Sequence, residues 1–155
     1  MNDLSGDIDG LFATVHALLS PSAEVRGIVG TAAAQPTETA QRSADRAEEI
    51  LRLMGLSGKI PVHVGADRRL PAAATPVDCA GARAIIAEAM RDSPLPLYVT
   101  VGGGLTEVAS ALMLEPRIAE RFTLVWIGGD SHSKFEGVEY NFTLDKKAAQ
   151  YVFNE

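Results

Sequence analysis

The stretch LPLYVTVGGGLTEVASALML, residues 95–114, places an apolar strand, three glycines and an apolar helix in direct succession. Residues 95–101 are rich in Leu, Val and Tyr, which is typical of a strand, and residues 105–114 carry apolar side chains at helical spacing. A strand that leads within a few residues into a helix is the repeating unit of a parallel α/β sheet. This stretch therefore predicts the fold class.

The same alternation continues on both sides of this stretch. Further strands are predicted at 24–30, 60–64 and 122–127, and helices at 9–19, 37–54, 79–91, 105–114 and 146–153. The strands are short and nearly continuous in Val, Ile and Leu, as expected for parallel strands buried on both faces. We expect one α/β domain over residues 1–155, with an open, mainly parallel, doubly wound (Rossmann-like) sheet and helices on both faces.

Small and polar residues follow three of these strands. AAAQP follows EVRGIVG, VGGGLTE follows LPLYVT, and GGDSHS follows FTLVWI. In open α/β sheets the ligand crevice lies beyond the carboxyl ends of the strands. We therefore expect these three loops to lie at one edge of the sheet and to form the functional site.

Composition narrows the class of function. The chain has 155 residues, a net charge of -6 and no run of Lys or Arg, so nucleic acid is not an expected partner. Its apolar runs are shorter than the roughly 20 residues of a membrane span, so no membrane association is expected. The single Cys79 cannot form an internal disulfide, and a cytoplasmic location fits this cysteine usage.

Three aspartates crowd the N-terminal stretch MNDLSGDIDGLFA, residues 1–13. Asp3, Asp7 and Asp9 repel one another unless water, a cation or a helix N-terminus offsets the cost. A capping segment before the first helix explains Asp9 well. DIDG also resembles the nucleophile loop of haloacid-dehalogenase-type phosphatases, although no apolar strand precedes it, and the stretch lacks the Gly and Glu spacing of an EF-hand.

Other candidate residues have structural explanations. Packing accounts for His16 in a helix, His63 in a strand and Cys79, whereas His132 lies in a loop at the expected ligand edge. The glycines of GGGL, residues 102–105, open a helix and offer an alternative, a phosphate site, but the Lys of a P-loop is missing.

Five segments together resemble the nucleoside hydrolase family, the inosine/uridine-preferring type of N-ribosyl hydrolase. They are MNDLSGDIDGLFA, HALLSPSAEVRGIVG, IPVHVGADRRL, PLYVTVGGGLTEVASALMLEPRIAERFTLVWIGGD and VEYNFTLDKKAAQYVF. The resemblance spans the chain and implies a nucleoside hydrolase type of α/β sheet. It also implies hydrolysis of the N-glycosidic bond of small-molecule ribonucleosides, as in purine and pyrimidine salvage, with one bound Ca²⁺ that activates a water.

The resemblance also implies roles for particular residues. Asp3 matches the aspartate that coordinates calcium and serves as general base, and Asp9 matches a residue that binds a ribose hydroxyl. Glu139 and Asn141 match the residues that hold the sugar. Gly102 falls where the family offers a backbone carbonyl to the metal.

Several departures from the family pattern bear on activity. Gly10 stands where a second metal carboxylate is expected, and Asp7 is close enough in sequence to replace it. Ala34 stands where a substrate-contacting Asn is expected, with Gln35 beside it. The family's later His-Asp pair belongs to a C-terminal half that these 155 residues do not contain, and only two residues precede Asp3, so the sequence has the appearance of a truncated chain. A catalytically impaired nucleoside- or ribose-binding homologue is the alternative, and a homo-oligomer is compatible with either.

Overall fold

The computed structural model describes residues 1–6, 8–71, 75–129 and 139–154. Helices and strands alternate along it: α1 (Ile8–Leu19), β1 (Ile28–Gly30), α2 (Ala40–Leu53), β2 (Val62–Val64), α3 (Ala80–Met90), β3 (Tyr98–Val101), α4 (Thr106–Leu114), a 3-10 turn (Pro116–Ile118), β4 (Thr123–Trp126), α5 (Tyr140–Leu144) and α6 (Lys146–Asn154). Every predicted helix and strand is present. The short helix α5 and the 3-10 turn were not predicted.

Each observed strand is shorter than the apolar run of sequence that predicts it. The β1–β2 ladder pairs only Ile28 with Val62 through Gly30 with Val64. Pro61 has no N–H to donate, but its carbonyl accepts a hydrogen bond from Ile28 at 3.0 Å, so the ladder begins at this point.

Two parallel strand pairs, β1–β2 and β3–β4, are joined by the first two residues of the chain. Asn2 forms isolated parallel bridges to Gly30 and to Gly102. Its N–H donates to the Val29 carbonyl at 3.2 Å, and the Gly102 N–H donates to the Met1 carbonyl at 2.9 Å. The order across the sheet is therefore β2, β1, Asn2, β3, β4, with Asn2 between the two strand pairs.

Helices pack on both faces of the sheet, which confirms the doubly wound α/β class. On one face α1 and α2 enclose an apolar cluster with Leu4, Ile28 and Leu51 at its centre. On the other face α3, α4 and α6 pack on Val99 and Val101 in a larger cluster. No described helix has the length and apolar character that a membrane crossing requires.

Close backbone contact between β1 and α2 depends on Gly30. A methyl group at this position would collide with the backbone nitrogen of Ala44 and would lie 2.7 Å from the Ser43 carbonyl carbon and 2.9 Å from the Ala40 carbonyl oxygen. These are backbone atoms of a helix, so they cannot move aside without shifting α2. Glycine is required here because β1 and α2 approach too closely for any side chain.

We expect Gly30→Ala to lower the free energy of unfolding by about 3 kcal/mol, because forced overpacking displaces α2 from β1. Urea denaturation followed by circular dichroism measures this change. Gly27→Ala is the matched control: its nearest new contact is the His63 ring at 3.6 Å, an ordinary packing distance. The control is expected to change stability by less than about 0.5 kcal/mol, and equal effects of the two substitutions would contradict the role assigned to Gly30.

Candidate functional site at the carboxyl edge of the sheet

The strand order reverses beside Asn2. From this bridge the chain adds β1 and β2 on one side, crosses through α3, and then adds β3 and β4 on the other side. In open α/β sheets such a reversal opens a crevice beyond the carboxyl ends of the strands. Asp3 directly follows Asn2 at this point, and Gly102–Gly104 follow β3.

Asp3 is almost completely buried, with 3% of its surface exposed. Asp3 and Thr31 both lie next to Gly103: a methyl group at Gly103 would lie 3.8 Å from the Asp3 Cβ and 3.0 Å from the Thr31 hydroxyl. That hydroxyl is buried and, within the described part of the chain, has no hydrogen-bond partner. Buried hydroxyls are normally paired, so an orphaned one beside a buried carboxylate indicates a place for a polar ligand or water.

The loop that carries Asp3 is fixed at its other end. The Gly6 N–H donates to the Asp3 carbonyl at 2.8 Å, which closes a tight turn. The Ser5 N–H donates to the Ser43 hydroxyl of α2 at 3.1 Å, and that hydroxyl lies 2.8 Å from the Thr31 carbonyl. The loop that carries Asp3 and the loop after β1 are thereby both hydrogen-bonded to Ser43.

An open cleft of about 370 Å³ adjoins this point. It is lined by residues that follow three strands: Thr31 to Pro36 with Glu38 and Thr39 after β1, Ala66 to Arg69 after β2, and Gly104 with Glu107 after β3. The expectation that the loops after β1 and β3 share one edge is confirmed. Ala34 and Gln35 both line the cleft, so Gln35 is available where Ala34 offers no polar group.

Glu139 and Asn141 lie together at the carboxyl end of β4. The Glu139 carboxylate accepts from the N–H groups of Asn141 and Phe142, each at 2.8 Å, and from the Gly129 N–H at 2.9 Å. The Asn141 amide donates to the Ile127 carbonyl at 2.8 Å. The observed role of Glu139 is therefore to cap α5 and attach it to the strand end.

The remaining aspartates do not converge on Asp3 in the described residues. Asp9 is exposed in the first turn of α1, and its Oδ1 accepts from the Gly10 N–H at 2.6 Å. Asp7 lies outside the described residues. Gly10 is buried, and a methyl group there would lie 3.1 Å from the Leu4 Cδ2 and 3.2 Å from the Asn2 Cβ. A longer side chain at position 10 would press on both neighbours.

The described residues alone do not complete a calcium site. Calcium takes six to eight oxygen ligands, whereas within residues 1–6, 8–71, 75–129 and 139–154 no group of three or more His, Cys, Asp or Glu side chains could hold a metal. Asp3 is the buried carboxylate at the crevice, and Gly102 is engaged through its N–H with Met1.

Glu107 is a cleft residue that sequence reasoning missed. It has 1% of its surface exposed, and its Oε1 accepts from the Ala66 N–H at 2.9 Å. Burial raises the pKa of this carboxyl to about 7, against the opposing effects of backbone N–H groups and the Met1 ammonium. The only sequence signal was a charged residue among the apolar positions of α4.

A second buried acid, Asp145, ties the cleft to the C-terminal helices. Its Oδ2 accepts from the Leu70 N–H at 2.7 Å and from the Thr106 hydroxyl at 2.8 Å. Its Oδ1 accepts from the Ala148 N–H at 3.0 Å in the first turn of α6. Asp145 thus joins the loop after β2 to α4 and α6.

The histidines and the cysteine give no catalytic arrangement in the described residues. His16 is exposed on α1, and His63 is partly buried in β2. The Cys79 sulfur accepts from the Ala82 N–H at 3.5 Å at the start of α3, and burial raises the pKa of its thiol. His132 lies outside the described residues.

The fold and the site define an open α/β protein with a buried carboxylate at its topological switch point. The chain belongs to the family described as inosine-uridine preferring nucleoside hydrolase, whose sequence model matches residues 2–155. The resemblance seen in the five sequence segments is thereby confirmed.

Three curated relatives are described as nucleoside or ribonucleoside hydrolases. An inosine-uridine preferring nucleoside hydrolase of Crithidia fasciculata is 39% identical over 74 residues, 46% of this chain and 24% of that protein. The corresponding protein of Leishmania major is 39% identical over 69 residues, 43% of this chain and 22% of that protein. The pyrimidine-specific ribonucleoside hydrolase RihA of Citrobacter koseri is 27% identical over 172 residues, 94% of this chain and 53% of that protein.

Solved structures share the fold. The plant nucleoside hydrolase PpNRh1 superimposes with a TM-score of 0.79 at 20% identity, over 98% of this chain and 55% of that one. An inosine-guanosine nucleoside hydrolase also gives 0.79, at 21% identity, over 99% of this chain and 56% of that one. The chain spans about half the length of these relatives.

Glu107 should make stability depend on pH. Its pKa rises from 4.5 to about 7 on folding, so its contribution is fully present below pH 4.5 and is lost as the pH rises through 7. At 1.36 kcal/mol per pKa unit this loss is about 3 kcal/mol. Glu107→Gln keeps an acceptor for the Ala66 N–H but does not titrate. Between pH 4.5 and pH 7, the free energy of unfolding of this variant should therefore fall by about 3 kcal/mol less than that of the unsubstituted protein.

Urea denaturation at several pH values measures this difference, with the exposed Glu48→Gln as control. The control is expected to follow the unsubstituted protein. Parallel pH profiles for the protein and Glu107→Gln would show that Glu107 titrates normally.

Proposed function

We propose that this protein hydrolyses the N-glycosidic bond of ribonucleosides, releasing ribose and the free base. The observation that carries the proposal is the buried Asp3 at the switch point of the sheet, close to the Thr31 hydroxyl, which has no hydrogen-bond partner among the described residues. Membership of the nucleoside hydrolase family supports it.

In the proposed reaction a water oxygen bonds to the anomeric carbon while the carbon–nitrogen bond to the base breaks. Asp3 acts as general base, orienting the water and accepting its proton, and the departing base takes up a proton. A carboxylate positioned in this way contributes typically 10²- to 10⁴-fold to a rate. Asp9, Glu139 and Asn141 are proposed to bind the sugar, the last two from the end of β4.

Calcium is the proposed cofactor, held by Asp3, Asp7 and the carbonyl of Gly102. A bound divalent cation supplies a water nucleophile near neutral pH. Because Asp3 is the one buried carboxylate among the proposed calcium ligands and Gly10 provides none, we propose that affinity for Ca²⁺ is weak. We also propose a cytoplasmic protein of nucleoside salvage that acts as a homo-oligomer.

A second candidate is a nucleoside- or ribose-binding protein without catalysis. The incomplete set of metal donors among the described residues favours it. Both candidates use the same crevice, so binding and turnover have to be measured separately.

Asp3→Asn should lower the rate of ribose release from inosine or uridine at least 10²-fold, because Asn cannot accept the proton. A reducing-sugar assay measures the rate. Asp92→Asn, on an exposed loop before β3, is the control and should retain full activity. Turnover that survives Asp3→Asn would remove Asp3 from the reaction.

If the protein shows no turnover, nucleoside binding distinguishes the two candidates. Isothermal titration calorimetry that detects uridine or inosine binding without turnover would establish the binding protein. Absence of both would overturn the two candidates together.

Calcium binding is tested by titrating the protein with CaCl₂ in the calorimeter. We expect weak binding that Asp3→Asn abolishes and Asp92→Asn preserves, because Asp3 supplies the buried carboxylate. Calcium binding unchanged by Asp3→Asn would place the ion elsewhere.

A further inference from the structure

Three consecutive glycines, residues 102–104, connect β3 to α4 beside Asp3, and we call this segment the glycine loop. Glycine has the widest backbone freedom of any residue, and the three glycines have no side chains that could fix the loop. A methyl group at Gly103 would lie 3.7 Å from the Asp3 nitrogen and 3.0 Å from the Thr31 hydroxyl. Contacts from other segments therefore set the position of a loop that touches the candidate carboxylate.

One hydrogen bond fixes the start of the glycine loop and another fixes its middle. The Gly102 N–H donates to the Met1 carbonyl at 2.9 Å. The indole Nε1–H of Trp126 donates to the Gly103 carbonyl at 2.9 Å. Trp126 is the last residue of β4 and pairs in register with Val101, the last residue of β3. Its side chain is therefore within reach of the loop that follows the neighbouring strand.

The indole ring is itself held by its surroundings. A methyl group at Gly128 would collide with the Cε2 and Cζ2 atoms of Trp126, so the ring lies directly against the Gly128 backbone. The Phe153 ring of α6 lies beside it, with the ring centroids 5.6 Å apart and the planes inclined by 30°. This is an attractive spacing for an aromatic pair. The direction of the indole N–H is thus set by packing as well as by its acceptor.

Core packing alone explains an aromatic side chain at position 126 but not the choice of tryptophan. A phenylalanine would also pack on Phe153 and on the apolar cluster that Trp126 borders. Tryptophan adds a single donor, and a partly buried indole N–H requires an acceptor. That acceptor is the carbonyl of Gly103, the residue that lies next to both Asp3 and Thr31.

We propose that Trp126 is a positioning residue of the candidate site, whose indole N–H holds the Gly103 carbonyl and so keeps the glycine loop against Asp3 and Thr31. Its effect on the rate rests on the proposed function, in which Asp3 orients the attacking water. A misplacement of about 1 Å at such a site can lower a rate on the order of 10²-fold.

The proposed sugar contacts do not depend on the indole N–H. Glu139 and Asn141 are attached to the end of β4 through the Gly129 N–H and the Ile127 carbonyl, which are backbone groups. Loss of the indole donor should therefore lower kcat while leaving KM nearly unchanged. A substitution that merely loosened the whole domain would not separate the two constants in this way.

Trp126 is the single tryptophan of the chain, so biosynthetic incorporation of an analogue in a tryptophan-auxotrophic host changes this position alone. Benzothienylalanine keeps the fused ring but has sulfur in place of the N–H. A ring-fluorinated tryptophan keeps the N–H and is the matched control. Circular dichroism shows whether each protein folds, and Trp126→Phe, which also lacks the donor, replaces the benzothienyl protein if that protein does not fold.

Amide hydrogen exchange followed by NMR tests the contact without any substrate. In the benzothienyl protein, exchange of the Gly102 N–H should accelerate about 5-fold, the effect of losing one neighbouring hydrogen bond on local opening. The Leu56 N–H, which donates to the Leu51 carbonyl at 2.8 Å at the end of α2, should exchange at an unchanged rate. The fluorinated control should match the unsubstituted protein at both positions.

A reducing-sugar assay with uridine tests the consequence for the site. We expect kcat to fall about 10-fold in the benzothienyl protein and KM to change less than about 2-fold. An unchanged kcat, or a raised KM alone, overturns the positioning role. So does exchange at Gly102 that is unchanged or that accelerates equally at Leu56. If the unsubstituted protein has no turnover, the proposed hydrolysis fails, and the exchange at Gly102 still decides whether Trp126 holds the loop.

Discussion

The parallel bridges of Asn2 to Gly30 and Gly102 are the constraint on which the sheet depends. Without them, β1–β2 and β3–β4 are two separate ribbons, and two-stranded sheets are marginal in water. Asn2 also places Asp3 at the switch point, so the residue that joins the two strand pairs also positions the candidate carboxylate. Helix α1 starts five residues after Asp3, and Asn2 donates to the Thr14 hydroxyl of α1 at 3.4 Å. Sheet, crevice and first helix are thereby fixed by one short segment.

The buried carboxylates of Glu107 and Asp145 accept hydrogen bonds from segments that are distant in sequence. Glu107 accepts from Ala66 across 41 residues, and Asp145 accepts from Leu70 across 75. A buried acceptor without a hydrogen-bond partner destabilises the folded state. Each of these contacts therefore favours the packing arrangement in which the donor and the acceptor meet. The loops around the cleft are held by these contacts, which leaves the Thr31 hydroxyl as the buried side-chain group without a protein partner in the described residues.

The fold was largely predictable because strand and helix periodicity are local properties. LPLYVTVGGGLTE indicated strand, turn and helix without tertiary information, and the structure places them at Tyr98–Val101 and Thr106–Leu114. The site was less predictable. The capping of α5 by Glu139 and the burial of Glu107 depend on contacts between distant segments, which no local pattern encodes. The strand contribution of Met1 and Asn2 was missed for the same reason, since two residues have no periodicity. The roles assigned to Asp3, Asp9, Glu139 and Asn141 in catalysis and binding remain predictions.

The packing around Gly10 has a consequence for how this sequence can change over evolutionary time. The family resemblance assigns a metal carboxylate to this position, but the space it would occupy now borders Leu4 and Asn2 at little more than 3 Å. An aspartate at this position would therefore require Leu4 or Asn2 to shift by a few tenths of an ångström. Such dependence between positions is epistasis: the side chains at positions 2 and 4 set the cost of a carboxylate at position 10. Asn2 joins the strand pairs and Leu4 lies in the buried cluster with Ile28 and Leu51, so a change at either neighbour carries its own structural cost.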